Sequence, residues 1–258
     1  MRSRTTHTRS LMGLLALLWL VPSTGWSNEL PKSHVEVKFG TYSPKISNNQ
    51  TKVDFYDLMY GSDNEPVMTS FAAHWYPWRR WGLIGGGFRV SMWKIDGKAR
   101  LCSEGDAFVD CNSTTVFEST EGNSMTRLTL LPISLEGVFR ADYLRRAHGI
   151  PFEAYVKVGL DYHLWWASTE GEIAERTVDE KTTRGEGGTP GYHLSAGLML
   201  NLDWLDPKTA ARGRASSSMA GTFLFVEWTK IQGDGFKQGK RLDMSGDQLH
   251  VGLAIDFL

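Results

Sequence analysis

The side chains that could carry out chemistry lie toward the end of one segment of alternating polar and apolar residues. Ser168 follows His163 by five residues, and the acids Glu170 and Glu172 come next. A serine nucleophile requires a histidine and an acid that converge with it in space. Proximity along the chain does not establish that convergence. The alternative interpretation is a histidine on an inward face followed by a solvated loop, and the sequence favours it.

Metal binding is a second possible chemistry. Four histidines fall on the polar set of the alternating segments: His74, His163, His193 and His250. Two histidines that meet across an interior can ligate a metal ion. Histidines paired with carboxylates are the alternative that the sequence favours, so we expect no metal site. We also expect no cofactor, because the glycine run within 83–88 is not followed by the Lys-Ser/Thr of a phosphate-binding loop.

The two cysteines of the chain lie close together in a polar stretch, as Cys102 and Cys111. In an exported protein this arrangement indicates a local disulfide, with two free thiols as the alternative. Two cysteines without a nearby histidine do not supply the ligands of a metal site.

Composition excludes one class of partner, and the N-terminus indicates a compartment. A formal net charge of -1 over 258 residues excludes a strongly basic nucleic-acid binder. Three arginines precede an apolar run at 11–21, and small residues follow as far as Ser27. This order is that of a secretory signal peptide, and the run is too short for a membrane-spanning helix. We therefore divide the chain into a signal peptide, 1–27, and one all-β domain, 28–258.

Residues 152–166 show the pattern that organises the whole chain. Phe152 and Leu160 belong to one set of alternate residues, and Lys157 and Asp161 belong to the other. A period of two indicates an extended strand with two unlike faces. The same alternation occurs in eight segments, at 35–42, 70–75, 87–93, 128–140, 152–166, 193–203, 223–228 and 249–257.

Long and short connections alternate between these segments. Long polar links at 43–66, 94–124 and 167–189 are separated by tight ones at 78–82 and 141–149. Asp206 and Pro207 indicate a short helix in the next link, as its N-cap and first residue. Pro132 interrupts the fourth segment, and we expect a β-bulge there.

Two kinds of barrel fit eight alternating strands. A transmembrane barrel turns its apolar face to lipid, whereas a soluble lipocalin-like carrier turns it inward. Three features favour the transmembrane barrel. The polar face is rich in small residues, which a narrow eight-stranded interior needs, and it mixes charges of both signs, as a buried network must. Aromatic residues such as Trp75, Trp78 and Trp165 gather at strand ends, where a membrane interface would lie.

The inward face of such a barrel would carry a network of charges. Its ten members are Glu36, Lys38, Arg89, Glu136, Arg140, Glu153, Lys157, Asp161, Glu227 and Asp256. An isolated charge in so narrow an interior would cost roughly several kcal/mol, so we expect each one to be paired. For Asp161 the expected partner is Lys157 or Arg89.

The last segment carries a short sequence pattern. Polar, glycine, apolar and aromatic residues stand at His250, Gly252, Ile255 and Phe257. This spacing resembles the C-terminal insertion signal of bacterial outer-membrane proteins, with Leu258 as one extra residue. Over 34–258 the chain resembles the small eight-stranded outer-membrane β-barrel proteins, including an uncharacterised family that shares Tyr-Ser-Pro-Lys at 42–45. The resemblance implies an eight-stranded antiparallel up-and-down transmembrane β-barrel, inserted by the barrel-assembly machinery. The short helix expected at Asp206 would then be periplasmic.

These inferences predict a monomeric, non-enzymatic protein of the bacterial outer membrane, exported through a cleaved signal peptide. It would contact outer-membrane lipid and lipopolysaccharide, and its long loops would face the outside in a structural or surface-binding role. Some small barrels of this size class act on lipopolysaccharide with a serine and a histidine near the rim. A lipid-modifying hydrolase therefore stays an alternative, as does the lipocalin-like carrier. A wide pore is disfavoured, because eight strands leave no open channel.

The cysteine pair yields a testable prediction. Joint replacement, Cys102→Ser with Cys111→Ser, should loosen the link at 94–124 and leave the barrel folded, because so short a closed loop contributes only about 2–3 kcal/mol. Thiol labelling before and after reduction measures the bridge, and heat-modifiable mobility on a gel measures the fold. A double variant that does not fold would contradict the placement of the pair in a loop.

Overall fold

A computed structural model of the chain describes residues 30–46, 65–101, 103–104, 107–108, 120–178, 181–236 and 242–258. The expected signal peptide and both cysteines lie outside these residues. Within them, no helix has the length and the apolar character needed to cross a bilayer.

Eight long strands make up the described part of the chain. They are β1 (Ser33–Tyr42), β2 (Val67–Trp78), β3 (Leu83–Leu101), β4 (Thr120–Ala141), β5 (Phe152–Thr169), β6 (Glu186–Asn201), β7 (Met219–Gln232) and β8 (Gly246–Phe257). Short paired strands lie between them at Ser103–Glu104 with Ala107–Phe108, and at Glu175–Val178 with Lys181–Arg184. A further two residues, Glu172–Ile173, pair with the end of β5.

The eight strands form one closed antiparallel sheet. Each pairs with its neighbours in sequence, and β1 pairs with β8, from Ser33 opposite Phe257 to Tyr42 opposite Gln248. Closure leaves no free sheet edge among the eight strands, so their backbone hydrogen-bonding groups are satisfied within the barrel. The expected eight-stranded up-and-down barrel is confirmed.

The two ends of the barrel differ. The chain enters β1 and leaves β8 at one end, which also holds the connections β2–β3, β4–β5 and β6–β7; we call it the turn end. The opposite end, the loop end, holds the links after β1, β3, β5 and β7.

Two helices of the described chain lie at the turn end. The first, α1 (Tyr143–His148), was not expected; it ends at Gly149, whose φ of 67° permits the backbone to turn, and whose N–H donates to the Arg145 carbonyl at 2.9 Å. The second, α2 (Pro207–Ser217), is the expected helix and is longer than the sequence indicated. Hydrogen bonds from Thr209 to Asp206 cap it and lower the pKa of that carboxyl.

The strands beside the long links extend further than the alternation predicted. β3 continues to Leu101 and β4 begins at Thr120, so much of the link expected at 94–124 is hydrogen-bonded sheet. The outward face carries polar residues here, such as the exposed pair Asp96 and Arg127, so the apolar alternation ends before the strands do. Hydrogen bonding between strands does not require an apolar face, so the pattern underestimates their length.

The bulge expected at Pro132 is wrong. The β4–β5 ladder keeps one register from Thr126 to Ala141, and the β3–β4 ladder has the same register before and after the proline. Pro132 pairs with His163 of β5. Toward β3, the ladder lacks the pairs between Val90–Ile133 and Trp93–Leu130. The proline thus removes hydrogen bonding toward one neighbour without adding a residue. As a consequence Leu128 and Leu130 point inward, where both are buried.

The two faces of the sheet separate by chemistry. Inward positions are buried and largely polar or charged, and outward positions are exposed and apolar. On β5, Leu160 is 64% exposed and its neighbour Asp161 only 4%. The aromatic residues Trp75, Trp78 and Trp81 are exposed at the turn end, but Trp165 points inward and packs on an apolar cluster, which corrects its expected place at the outer surface.

Small residues on the inward face have a specific role. Five inward glycines lie opposite an inward ring on the neighbouring strand, and an added Cβ would meet that ring within 3 Å. These pairs are Gly40 with His250, Gly87 with His74, Gly159 with His193, Gly197 with Tyr155, and Gly252 with Phe225. The absence of a side chain on one strand therefore makes room for a large one on the next.

The glycine–ring pairs predict where methyl groups are not tolerated. Gly197→Ala should lower the free energy of unfolding by about 1–3 kcal/mol, because the added carbon would lie 2.5 Å from the Tyr155 ring and 2.6 Å from the Val226 carbonyl. Urea unfolding of the barrel in lipid vesicles measures this change.

The matched control is Gly137→Ala on the outward face of β4, where the nearest atom to the added carbon is 3.8 Å away. Its free energy of unfolding should stay within about 0.5 kcal/mol of the original. Equal effects of the two substitutions would contradict the pairing.

Candidate functional site

The barrel interior near the turn end is organised around Arg140 of β4. Its guanidinium contacts both oxygens of Asp256, each at 2.9 Å, and donates through Nε to Glu153. Arg145 of α1 donates to the same Glu153, and the Arg140 guanidinium lies 4.4 Å from the Phe223 ring centroid. A planar guanidinium with two carboxylates is the arrangement that best compensates the cost of burying these charges.

The middle of the interior holds two lysines between two glutamates. Lys157 contacts the oxygens of Glu36 at 2.7 and 2.9 Å and reaches Glu227 at 2.8 Å. Lys38 donates to Glu227 and lies 3.4 Å from Glu36. The Tyr155 hydroxyl donates to Glu227 at 3.0 Å. Each ammonium thus has two carboxylate partners, and each carboxylate has two ammonium partners.

A third group surrounds Arg89 of β3. Its Nε lies 3.3 Å from Glu136, and its Nη2 lies 3.4 Å from Asp161. His193 bridges the same two acids, with Nδ1 2.7 Å from Asp161 and Nε2 3.2 Å from Glu136. Glu136 also contacts Nε2 of His74 at 2.8 Å. His74 and His193 are thus paired with carboxylates, as the sequence favoured. The expectation fails for His163 and His250, whose ring nitrogens have no hydrogen-bond partner among the described residues.

The structure places all ten of the charges identified from the sequence inside the barrel, where each has a partner of opposite sign. Asp161 has Arg89 and His193 as its partners. Two members were missed. His34 shares the inward parity of Glu36 and could have been found by extending the first segment by one residue, but Arg145 lies on the helix α1, and no strand pattern could indicate it.

The loop end of the interior is apolar. A cluster of buried side chains fills it: Tyr42, Ile46, Met68, Trp93, Ile95, Leu128, Leu130, Ile231 and Met244. The Trp93 indole donates to the carbonyls of Tyr42 and Pro66 at 3.1 and 3.2 Å, and the Tyr42 hydroxyl donates to the Met244 carbonyl. This loop-end cluster packs the interior above the charges with side chains and satisfies its own polar atoms.

The candidate hydrolase pair does not come together. His163 points inward and is 1% exposed, whereas Ser168 has the opposite strand parity and lies at the rim. Five residues of extended strand separate their backbones by about 17 Å. Neither ring nitrogen of His163 has a hydrogen-bond partner in the described part of the chain. The pair therefore lacks the geometry of a nucleophile and its base.

The residues of the C-terminal pattern occupy both faces of β8. His250 and Gly252 point inward, and Ile255 and Phe257 point outward. Phe257 pairs with Ser33 of β1 and Met219 of β7, so it lies at the turn end where the first and last strands meet.

Fold and interior together define the class of the molecule, which is an eight-stranded antiparallel up-and-down β-barrel with an apolar outside and a charged inside. The resemblance to small eight-stranded outer-membrane barrels is confirmed at the level of the fold.

No protein-family model matches the chain. No curated protein matches it. Among solved structures, a major outer membrane protein from Thermus thermophilus is similar with a TM-score of 0.40 and 12% identity, over 87% of this chain and 99% of that one. Ail, the attachment invasion locus protein of Yersinia pestis, has a TM-score of 0.36 and 10% identity, over 89% and 99%. The N-terminal β-barrel domain of Pseudomonas aeruginosa OprF has a TM-score of 0.34 and 10% identity, over 88% of this chain and 98% of that one. Similarity this low supports no functional conclusion.

The interior charges predict a large difference between two arginines of the same strand. Arg140→Met should lower the free energy of unfolding by about 3–5 kcal/mol, because Asp256 and Glu153 would each lose a buried partner. Urea unfolding in lipid vesicles, followed by tryptophan fluorescence, measures the change.

Arg127→Met is the control, since Arg127 also pairs with a carboxylate, Asp96, but both side chains are about half exposed. Solvent already screens that pair, so its loss should leave stability nearly unchanged. A similar cost for both substitutions would show that burial does not set the strength of the interior pairs.

Proposed function

We propose that the protein is a non-enzymatic β-barrel of the bacterial outer membrane, with a closed interior and a structural or surface-binding role for its loop end. The observation that carries the proposal is the separation of faces, with exposed apolar side chains outside and paired charges inside. A water-soluble barrel would expose the charges and bury the apolar residues.

The apolar surface has the height of a bilayer. Outward residues of β5 are apolar without interruption from Phe152 to Leu164. Twelve steps of about 3.3 Å, tilted by about 45°, span roughly 28 Å, close to the hydrocarbon thickness of about 30 Å. Exposed Trp75, Trp78 and Trp81 lie at the turn-end border of this surface, where amphipathic rings favour the interface.

The interior supports a role that needs neither a pore nor a carrier cavity. Charged pairs fill the half near the turn end, and the loop-end cluster fills the other half. An eight-stranded barrel has room for packed side chains and little more. The lipocalin-like carrier is disfavoured because its ligand would need the space that these side chains occupy.

The orientation follows from the two ends. Short turns face the periplasm in outer-membrane barrels, and longer loops face the outside. The turn end, with both helices, would then lie in the periplasm, and the links after β1, β3, β5 and β7 would meet lipopolysaccharide and the surroundings of the cell. The pattern of His250, Gly252, Ile255 and Phe257 in the last strand supports insertion by the barrel-assembly machinery.

Membrane insertion can be tested with neighbouring residues of β4. Leu135 is 70% exposed and Ser134 is 1% exposed. A fluorophore attached to a cysteine at 135 should therefore be quenched by a lipid-phase quencher. A cysteine at 134 should react slowly with any thiol reagent. The substitutions Leu135→Cys and Ser134→Cys are made without the native cysteines and reconstituted in lipid vesicles. The measurements are the rate of labelling by a fluorescent thiol reagent and the quenching of the attached fluorophore by water-soluble and lipid-phase quenchers.

Ser168→Cys at the loop-end rim is the positive control and should react quickly with a water-soluble reagent. Rapid aqueous labelling at 135 in the folded protein, equal to that at 168, would overturn the membrane assignment. An independent check is Leu160→Arg, which places a charge on the lipid-facing surface. It should lower the free energy of unfolding by about 2–4 kcal/mol if that position lies near the middle of the bilayer.

A further inference from the structure

Two histidines and a carboxylate meet inside the barrel near the turn end. His34 of β1 lies directly opposite His74 of β2, with ring centroids 5.7 Å apart. Glu36 follows His34 by two residues and therefore points into the same interior. One ligating atom from each of the three side chains lies within 4.8 Å of the others, and all three residues are buried.

Each histidine is oriented by a second carboxylate. His34 Nδ1 lies 2.7 Å from Asp256 of β8, and His74 Nε2 lies 2.8 Å from Glu136 of β4. Metal-binding histidines are commonly held in this way, with one ring nitrogen on a carboxylate and the other on the metal. The carboxylates leave His34 Nε2 and His74 Nδ1 as the nitrogens available to a shared ligand.

The two available nitrogens lack good partners. His74 Nδ1 is buried and has no hydrogen-bond partner among the described residues. His34 Nε2 lies 3.3 Å from Glu36 Oε2. That separation matches the roughly 3.3 Å between two ligands that each lie about 2.0–2.1 Å from a tetrahedral zinc ion. Protonation of His34 would give Glu36 a hydrogen-bond donor but would leave His74 Nδ1 without a partner. A metal ion would satisfy both nitrogens.

The charge of the surrounding network has room for a cation. Its described members comprise six carboxylates against five side chains with a permanent positive charge: Glu36, Glu136, Glu153, Asp161, Glu227 and Asp256, against Lys38, Arg89, Arg140, Arg145 and Lys157. One negative charge is therefore uncompensated while the histidines are neutral. A protonated His34 would neutralise it, and a divalent metal ion would change the net charge of the network from one negative to one positive.

The lysine beside Glu36 does not prevent a metal from binding. Lys157 contacts Glu36, but it also has Glu227 at 2.8 Å as a second partner. Lys38 likewise has Glu227. Glu36 Oε2 also accepts from Lys157, at 2.9 Å, and a metal ion would replace that one contact. Both ammonium groups would keep Glu227 and Glu36 Oε1.

We propose that His34, Glu36 and His74 bind one divalent transition-metal ion, with zinc as the natural occupant of two imidazoles and a carboxylate. The ion joins β1 to β2 directly. Through Asp256 and Glu136 its ligands also connect to β8 and β4. It strengthens the seam at which the first and last strands close the barrel. This assignment is independent of any role for the loops.

The test uses the full mature chain, folded into lipid vesicles from urea with Zn²⁺ or with a chelator, because the site is buried and should fill during folding. We expect one tightly held zinc per barrel and a higher urea midpoint in the metal-loaded protein. Folding with Co²⁺ should produce a visible absorption band that free Co²⁺ in the same buffer lacks. His74→Gln should weaken zinc binding by more than about 100-fold, since losing a ligand exceeds the roughly 10–100-fold cost of losing an outer-shell partner.

His163→Gln is the matched control, because His163 is another buried inward imidazole but is not part of this cluster. It should keep the zinc stoichiometry and the Co²⁺ spectrum. Where His74→Gln does not fold, His34→Gln and the metal content of the original barrel decide the question. The proposal is overturned if the original barrel, folded in the presence of Zn²⁺, holds no stoichiometric metal. It is also overturned if His74→Gln and His163→Gln weaken zinc binding equally.

Discussion

The narrowness of an eight-stranded interior is the constraint on which the rest of this structure depends. Closure of β1 on β8 satisfies the backbone and leaves a space that only side chains can fill. Five inward rings have a glycine opposite them, as Tyr155 has Gly197 and His193 has Gly159. Each inward charge needs a partner within reach, because the same walls that exclude water raise the cost of an unpaired charge.

That constraint is met differently in the two halves of the barrel. Near the turn end, Arg140, Lys157 and Arg89 each contact two carboxylates, so the network is connected by shared acids rather than built from isolated pairs. Near the loop end the charges give way to the apolar cluster around Trp93. The change follows the chain, because β3 and β4 carry aromatic and aliphatic residues at inward positions beyond Ser91 and Pro132.

Buried ion pairs contribute less to stability than their number suggests, because desolvation offsets most of their attraction. Here they make one strand register more favourable than the alternatives. A slip of one residue in β5 would turn Lys157 and Asp161 toward the apolar outside and bring Val156 and Leu160 among the acids. The network therefore makes alternative pairings costly, and the glycine–ring pairs add a steric penalty in the same direction.

A large part of the fold could be predicted from the sequence, because alternation with a period of two depends only on local backbone geometry. It identified eight strands and the two faces of each. The small residues and mixed charges of the polar face then indicated that this face, with its ten charges, points inward. The prediction is wrong where that local rule does not apply: at Pro132, where ladder hydrogen bonding is lost and no residue is added; at β3 and β4 beyond the apolar pattern; and at α1, which supplies Arg145 from outside the strands.

The sequence by itself determined which side chains share one face of a strand, since parity along the strand groups them without knowledge of any neighbour. Only the tertiary structure decided which of them meet. Asp161 contacts Arg89 and His193 rather than Lys157, and His34 lies beside His74, because strand register and barrel stagger bring together residues distant in the chain. The same geometry separates His163 from Ser168, which are close in sequence but lie at different heights and on opposite faces of one strand.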